Sequence, residues 1–335
     1  MKHILAAVAV VITGLANQAM AVTALNGSGA TFPAPLYLRW ASDFGKTNSS
    51  IAVNYQGVGS GAGVKQFGDG ITDFGASDVA MTDAEIAKVG GNVLMLPATA
   101  GTIVLAYNIK GVEGGLKLSR AAYTGILLGT LKKWNDPLIV KDNPGIALPS
   151  LPVTVVTRSD GSGTTAVFTA HLDAVSPEFA SKVGSGKSVT WPVGLAGKGN
   201  DGVTALIKQT PGAIGYVEFG YADNNKLTMA SLQNKAGNFI VPTIESGAAT
   251  LASVVLPENL RAFITDPEGA NDYPIATFTW LLVKKSYSDQ RKASAVKEFV
   301  NYGLTIGQQA APGLGYITLP ATVVAKVQAA LETVK

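Results

Sequence analysis

The clearest local pattern in this 335-residue chain is a nine-residue segment that reads Thr157-Arg158-Ser159-Asp160-Gly161-Ser162-Gly163-Thr164-Thr165. A β-branched run, Val153–Val156, precedes the segment, and a run with helical composition, Ala166–Val175, follows it. The segment is therefore predicted to be a loop between a strand and a helix. Strand-like and helix-like runs alternate along the rest of the chain as well, which predicts an α/β fold.

The start of the predicted helix has the composition of an anion-binding site. Ser162 or Thr164 is expected to cap the helix, whose first backbone N–H groups have no partner within it. Those groups and the helix dipole favour an anion, and the planar guanidinium of Arg158 suits a tetrahedral oxyanion. Asp160 would repel an anion unless it pairs with Arg158 or the anion carries a proton. The alternative is an ordinary capped helix start without a ligand.

Two further helix starts carry glycine and hydroxyl residues. In the first, Thr31 and Phe32 precede Pro33, and a run with helical spacing continues to Phe44. In the second, Ser60 lies in a glycine-rich turn between a predicted strand and a predicted helix. Each could offer free N–H groups and a hydroxyl to an anion. In isolation, however, a Thr N-cap and a flexible turn without a ligand are the favoured explanations.

Asp78 directly follows a short predicted strand, Asp73–Ser77. Ligands of open α/β sheets gather at the carboxyl ends of strands, so Asp78 is a candidate site residue, with a helix or turn cap as the alternative. A buried carboxylate discriminates between anions, because protonated phosphate can donate a hydrogen bond to it and sulfate at neutral pH cannot. The three helix starts, Arg158 and the two carboxylates together predict a site for a small protonated oxyanion.

The composition is that of a globular protein. Hydrophobic residues make up 47% and charged residues 15% of the chain, which allows a buried core and argues against disorder. The net charge of +3 is too small to indicate a nucleic-acid partner. The chain has no cysteine, which excludes disulfides, thiolate metal sites and a lipid anchor on cysteine.

The first 21 residues have the pattern of a secretory signal peptide. Lys2 and His3 precede an apolar run, Ile4–Ile12, and Ala19-Met20-Ala21 supplies a small-x-small cleavage pattern. An uncleaved anchor is the alternative, but the apolar run is too short to span a bilayer. We therefore expect a mature chain that starts near Val22, is exported to the periplasm and carries no lipid anchor.

Most enzyme motifs are absent from the sequence. His171 is the only histidine after the signal peptide, which gives no support to a histidine triad or a zinc site. Residues 161–166 fit the glycine spacing of a dinucleotide-binding turn but lack the acidic residue that should end a second strand. No cofactor and no metal are expected. An exported phosphoryl-transfer or hydrolytic enzyme with the same oxyanion cradle remains the alternative function.

The chain resembles the periplasmic phosphate-binding proteins of high-affinity phosphate ABC transporters. The matching stretches run in order through the first two thirds of the chain and are Gly29–Pro35, Asn54–Gly57 with Gly59-Ser60, Asp73–Asp78, Arg158 with Asp160–Thr164, Trp191-Pro192 with Gly197–Gly202, and Pro211–Glu218. The sequence departs from the family at Gly61-Ala62, where the family often has Ser-Gly, and the match is looser at 230–270.

The resemblance implies a type II periplasmic-binding-protein fold, with two α/β lobes joined by crossing strands and phosphate in the cleft between them. It implies delivery of phosphate to the membrane permease subunits of an ABC transporter, and no enzymatic activity. Asp78 would accept the phosphate proton, and Arg158 would contact phosphate while paired to Asp160. The implied phosphate-binding residues are Thr31, Phe32, Ser60, Asp78, Arg158, Asp160, Ser162, Gly163 and Thr164.

The pattern and the family together predict that lobe 1 is discontinuous in sequence. Lobe 1 is expected to comprise 22–104 and 278–335, and lobe 2 to comprise 105–277, with crossings near 104–108 and 277–281. In finer detail, 93–96 and 101–108 are predicted as separate strands. Residues 191–202 are predicted as a glycine-rich loop, followed by a helix over 204–209.

Overall fold

The computed structural model describes residues 22–335, so the predicted signal peptide, 1–21, lies outside the described residues. The strands are β1 (Thr23–Gly29), β2 (Ile51–Gly57), β3 (Phe74–Ser77), β4 (Leu94–Tyr107), β5 (Lys117–Leu118), β6 (Thr154–Arg158), β7 (Leu195–Gly197), β8 (Ala213–Glu218), β9 (Thr228–Met229), β10 (Ser231–Gln233), β11 (Phe239–Ile240) and β12 (Ala276–Val283).

The α-helices alternate with these strands over most of the chain, as the sequence predicts for an α/β protein. They are α1 (Ala34–Thr47), α2 (Ser60–Gly68), α3 (Asp83–Lys88), α4 (Arg120–Leu127), α5 (Pro137–Asp142), α6 (Gly163–Val175), α7 (Pro177–Lys182), α8 (Gly199–Gln209), α9 (Phe219–Asn224), α10 (Ile244–Ala252), α11 (Gln290–Leu304) and α12 (Ala321–Glu332). Two short 3₁₀ turns, Ile306–Ala310 and Pro312–Leu314, lie between α11 and α12.

One continuous sheet carries the fold, with strand order β2-β1-β3-β12-β4-β8-β6-β7 and with β9 attached to β4. Strands β2, β1 and β3 are parallel, and so are β8, β6 and β7. The antiparallel strands β12 and β4 lie between these two sets. We call the β2-β1-β3-β12 side lobe 1 and the β8-β6-β7 side lobe 2.

Strand β4 joins the two lobes. It pairs with β12 up to Thr102 and with β8 from Ile103 onward, so a single strand passes from lobe 1 into lobe 2. The expectation of two separate strands here is wrong. The register shifts by one residue opposite Thr279 and Trp280, which leaves Ala98 unpaired. This β-bulge beside Pro97 interrupts the strand pattern in the sequence without ending the strand.

The prediction of a loop over 191–202 is also wrong. Strand β7 pairs in parallel with β6, and α8 begins at Gly199, five residues before the predicted helix. Glycine is a poor helix and strand former, so local propensity hides both elements. Gly199 itself has φ +69°, a left-handed conformation that glycine adopts without strain.

The helices cover the sheet and bury an apolar core. In lobe 1, α1 contacts β2 and α2 contacts β3, while in lobe 2, α8 packs on β6 and β8. Among residues 22–335, no helix is both long and apolar enough to cross a membrane. In both lobes the carboxyl ends of the parallel strands point toward the same region between the lobes, which is where a ligand site is expected.

Candidate functional site

The predicted site residues follow the carboxyl ends of parallel strands in both lobes. Thr31 comes after β1, Ser60 after β2 and Asp78 after β3, all in lobe 1. In lobe 2, Arg158 is the last residue of β6, and the loop after it leads to the start of α6. The fold therefore brings together residues that are up to about 130 positions apart in the sequence.

Thr31 and Phe32 form one wall of the site in lobe 1, and both are buried. The carbonyl oxygen of Thr31 accepts a 2.6 Å hydrogen bond from the hydroxyl of Tyr221, and that of Phe32 accepts one of 2.6 Å from Tyr316. Pro33 precedes the first residue of α1, so the chain turns into the helix immediately after these two residues. The two phenols thus fix the backbone at a helix start.

Ser60 and Asp78 are in direct contact. The hydroxyl of Ser60 accepts a 3.2 Å hydrogen bond from the backbone N–H of Asp78 and lies 3.4 Å from its carboxylate Oδ2. Ser60 is the first residue of α2, and Gly59 before it has φ +91°, which lets the chain turn sharply from β2 into the helix.

Asp78 is the buried acidic group of lobe 1, with 1% of its surface exposed. Burial raises its pKa from 3.8 to about 7. Hydrogen bonds from Thr279, Ser60 and Thr164 and the charge of Arg158 act in the opposite direction. The carboxyl group therefore changes its charge close to neutral pH, in a site where a charged carboxylate is costly unless it meets donors.

Arg158 and Asp160 form a fork in lobe 2. Nε of Arg158 donates to Oδ1 of Asp160 over 2.8 Å, and Nη2 donates to Oδ2 over 2.6 Å. Partial burial alone would raise the pKa of Asp160, but the guanidinium more than offsets this and lowers it. The remaining nitrogen, Nη1, lies 3.4 Å from Oγ1 of Thr164, so this edge of the guanidinium is directed toward the start of α6.

Helix α6 begins as the sequence predicts. Ser162 is its N-cap, and the Ser162 side chain accepts a 3.0 Å hydrogen bond from the N–H of Thr165. Ser162 and Thr164 are fully buried, and Gly163 lies between them as the first helical residue. The choice between Ser162 and Thr164 as cap is thus resolved in favour of Ser162, which leaves the Thr164 hydroxyl beside Arg158.

The two lobes meet around Gly163. A Cβ atom added to Gly163 would lie 2.3 Å from Oγ of Ser60 and 2.8 Å from Oδ2 of Asp78. Close by, the N–H of Gly61 donates a 2.8 Å hydrogen bond to the carbonyl of Gly161 across the cleft. The backbone at the start of α6 therefore lies directly against Asp78 of lobe 1. Because the two lobes are in contact here, the described conformation is closed.

Two residues that the sequence reasoning missed also belong to this arrangement. Nδ2 of Asn200 donates to Oγ1 of Thr31 over 2.9 Å and approaches Oγ1 of Thr164, so Asn200 bridges the lobes. Oγ1 of Thr279 donates to Oδ1 of Asp78 over 2.9 Å. Asn200 lies within a stretch that matches the family, whereas Thr279 lies in a plain apolar strand that carries no motif.

This set of groups can bind a tetrahedral oxyanion that carries a proton. A guanidinium and three buried helix starts supply positive potential and donors, and one carboxyl group supplies an acceptor. Asp160 neutralises part of the Arg158 charge but accepts only from Nε and Nη2 of the guanidinium, so Nη1 does not donate to it. Among residues 22–335, no group of three or more metal-ligating side chains comes together.

The sequence and the fold of this chain are similar to those of known proteins. The sequence profile of the PBP superfamily domain matches residues 16–305. The phosphate-binding protein PstS of Pasteurella multocida is 41% identical over 322 residues, which cover 95% of this chain and 92% of that protein. The phosphate-binding protein PstS of Methanocaldococcus jannaschii is 40% identical and covers 91% of this chain and 84% of its own length.

Solved structures share the fold at lower sequence identity. A high-affinity periplasmic phosphate-binding protein, PfluDING, bound with phosphate, has a TM-score of 0.75 and 22% identity over 92% of this chain and 93% of that one. A phosphate-binding protein from Stenotrophomonas maltophilia has a TM-score of 0.71 and 18% identity, over 92% and 94% of the two chains. From the profile match and the sequence relatives, we conclude that the chain belongs to the PBP superfamily and, within it, to the family of PstS phosphate-binding proteins.

Proposed function

We propose that this protein captures inorganic phosphate in the cleft between its lobes and delivers it to the permease of an ABC transporter. The observation that carries the proposal is the contact between a buried carboxyl group of lobe 1, Asp78, and the start of α6 in lobe 2, beside Arg158. A site of this kind binds its ligand from both sides, so that ligand binding and lobe closure are coupled.

Each predicted residue has a role in this proposal. Phosphate is expected to accept hydrogen bonds from the backbone at three helix starts and from the nearby hydroxyls. Arg158 supplies the charge, and Asp160 holds its guanidinium in place. The phosphate-binding residues proposed are Thr31, Phe32, Ser60, Asp78, Arg158, Asp160, Ser162, Gly163 and Thr164, with Asn200 as an added bridging residue.

Asp78 gives the site its selectivity. As a carboxylate it accepts a hydrogen bond from a protonated phosphate oxygen, whereas sulfate would bring an unprotonated oxygen against it. The repulsion is strong because the site is buried and few charges screen it. Since the pKa of Asp78 is raised to about 7 by burial, this selectivity should depend on pH in the neutral range.

Closure is proposed to occur by rotation of the lobes about β4 and β12. We propose lobe 1 as 22–104 and 278–335, and lobe 2 as 105–277. The change of strand partner within β4, at Thr102 and Ile103, supports the first boundary. The chain between α10 and β12 contacts both lobes. The carbonyl of Leu260 accepts a hydrogen bond from the indole N–H of Trp280 on β12, and Asp266 pairs with Arg120 of α4 in lobe 2.

The cellular setting belongs to the same proposal. We propose export to the periplasm by cleavage of the 1–21 signal peptide, without a lipid anchor, and docking of the closed form on membrane permease subunits. The periplasmic structural neighbour and the family support this setting. The cysteine-free sequence supports the absence of a lipid anchor.

The protein is a binding protein and not an enzyme. Two relatives with 40–41% identity over nearly the whole chain are named phosphate-binding proteins. The alternative of an exported phosphoryl-transfer or hydrolytic enzyme is not supported.

The experiment that tests the proposal has two arms. Ligand-stripped mature protein is titrated with phosphate and with sulfate in a calorimeter, and one-to-one phosphate binding without sulfate binding is expected. A strain that lacks the gene should lose high-affinity phosphate uptake and regain it with the wild-type chain. Absence of phosphate binding would refute capture, and binding with normal uptake in the deletion strain would refute delivery.

A further inference from the structure

We propose that Thr279, on the strand that connects the lobes, is a specificity-determining residue whose hydroxyl keeps Asp78 available as a charged hydrogen-bond acceptor. The inference rests on the proposed function, because it concerns how the site distinguishes a protonated anion from an unprotonated one. Thr279 acts through Asp78 and is thus a positioning residue that need not touch the anion.

Strand β12 holds Asp78 at two points. Oγ1 of Thr277 donates to the backbone carbonyl of Asp78 over 3.1 Å, and Oγ1 of Thr279 donates to its carboxylate Oδ1 over 2.9 Å. The two threonines are separated by one residue and lie on the same face of the strand. Both are buried, Thr279 completely, so water does not compete for these hydrogen bonds.

The two oxygens of the carboxyl group face different surroundings. Oδ1 is directed to Thr279, whereas Oδ2 faces Ser60 and the position of Gly163, which is the side of the cleft. With Oδ1 occupied by a donor, Oδ2 is the oxygen left to accept from a ligand. A hydrogen bond to an ionised group is stronger than one to a neutral group, so the Thr279 donor favours the carboxylate over the acid.

The other hydroxyls that donate to Asp78 are those of Thr164 and of Ser60, which lies on the Oδ2 side. Among residues 22–335, Arg158, from β6, is the cation whose charge acts on Asp78, and it is already paired with Asp160. The remaining titratable groups that sense Asp78 are acids whose pKa values are raised by burial. They are Tyr37 on α1, Tyr55 on β2, Glu218 on β8, Tyr221 on α9 and Tyr316 before α12.

Loss of the Thr279 hydroxyl should therefore shift Asp78 toward its protonated form. A protonated Asp78 can no longer accept the phosphate proton, but it can donate to an oxygen of sulfate. For Thr279→Val we expect phosphate affinity at pH 7.5 to fall about threefold, because a rise of about one unit in the pKa of Asp78 lowers its ionised fraction by that factor. The pH below which sulfate begins to bind should rise by about one unit.

The matched control is Thr99→Val. Thr99 lies on the adjacent strand β4, where it pairs with Thr279 of β12, and it is equally buried. Its hydroxyl, however, donates a 3.0 Å hydrogen bond to the carbonyl of Ile317. This control carries the same change of side chain in the same sheet without touching Asp78. Thr279→Ser keeps the hydroxyl and is expected to resemble the wild type.

The test measures phosphate and sulfate affinities from pH 5.5 to 8.5 by calorimetry for the wild type and these three variants. A shift in Thr279→Val that is absent from Thr99→Val and Thr279→Ser supports the inference. An unshifted profile in Thr279→Val overturns it. If Thr279→Val does not fold, Thr279→Ala compared with Thr279→Ser decides in the same way. Failure of the wild type to bind phosphate would instead refute the proposed function itself.

Discussion

Nζ of Lys187 donates a 2.5 Å hydrogen bond to Oε1 of Glu85, and this ion pair joins lobe 2 to lobe 1 beside the site. Both partners are firmly held. The other carboxylate oxygen of Glu85 accepts from the N–H of Thr82 in the capping box of α3. The carbonyl of Lys187 accepts from the N–H of Ser162, the cap of α6. Because the pair joins the two lobes, we expect it to stabilise the closed state and not an open one.

Glu85→Gln should weaken phosphate binding by about two- to fivefold, because a partly exposed ion pair contributes on the order of 1 kcal/mol or less. The amide can keep the helix cap, so the loss is assigned to the contact between lobes. Stopped-flow measurement should show the loss of affinity as a faster phosphate dissociation rate. The difference from the wild type should become smaller at high salt. Glu178→Gln, which removes an ion pair within lobe 2, is the control, and an equal loss there would contradict the assignment.

Gly163→Ala should block closure. The added methyl group would lie 2.3 Å from Oγ of Ser60 and 2.8 Å from Cβ of Asp78, distances at which the lobes must separate. We expect phosphate affinity to fall by about a hundredfold or more, since overpacking of a tight contact costs several kcal/mol. Gly161→Ala is the control, because its nearest new contact is an ordinary 3.4 Å. Unchanged affinity in Gly163→Ala would mean that the described contact is not the liganded one.

The stability of the ligand-free protein should report on Asp78. Because burial raises the pKa of Asp78 from 3.8 to about 7, its contribution to stability is complete below pH 3.8 and is lost as pH rises through 7. Relative to Asp78→Asn, the wild type should lose up to about 4 kcal/mol between pH 4 and pH 8. Urea unfolding of both proteins over this range checks the sign, and parallel curves would contradict the burial of a titrating carboxyl group.

Asp160→Asn should destabilise the ligand-free protein by about 3 kcal/mol, because it leaves the buried guanidinium of Arg158 without its counter-charge. Phosphate should then raise the melting temperature more than it does in the wild type, since the anion compensates the uncovered charge. Asp69→Asn, which breaks an exposed pair with Lys65, should change stability by less than about 1 kcal/mol. Equal effects of the two substitutions would refute a special role for Asp160.

Sequence reasoning predicted the parts of the site that local chemistry specifies. The junction from β6 to α6 follows from a β-branched run, a cap at Ser162 and a helical run, and these signals lie within 25 residues of one another. The strand-end position of Asp78 and the two other helix starts suggested one shared site, and the family resemblance then implied the individual ligand residues.

The remaining features depend on contacts that are distant in sequence. Thr279 meets Asp78 across 201 positions, and Asn200 meets Thr31 across 169. Strand β7 forms because β6 offers it an edge, and β4 continues through Pro97 because β12 pairs on both sides of the bulge. Neither local propensity nor periodicity contains this information.

The most direct test of selectivity by Asp78 is calorimetric titration of the wild type and Asp78→Asn with phosphate and sulfate at pH 8.0 and pH 5.5. The wild type should bind phosphate one-to-one and exclude sulfate at pH 8.0, and it should begin to bind sulfate at pH 5.5, where Asp78 is protonated. Asp78→Asn should bind sulfate at both pH values. Sulfate binding to the wild type at pH 8.0, or its continued exclusion by Asp78→Asn, would contradict the role of Asp78 as the group that selects the protonated anion.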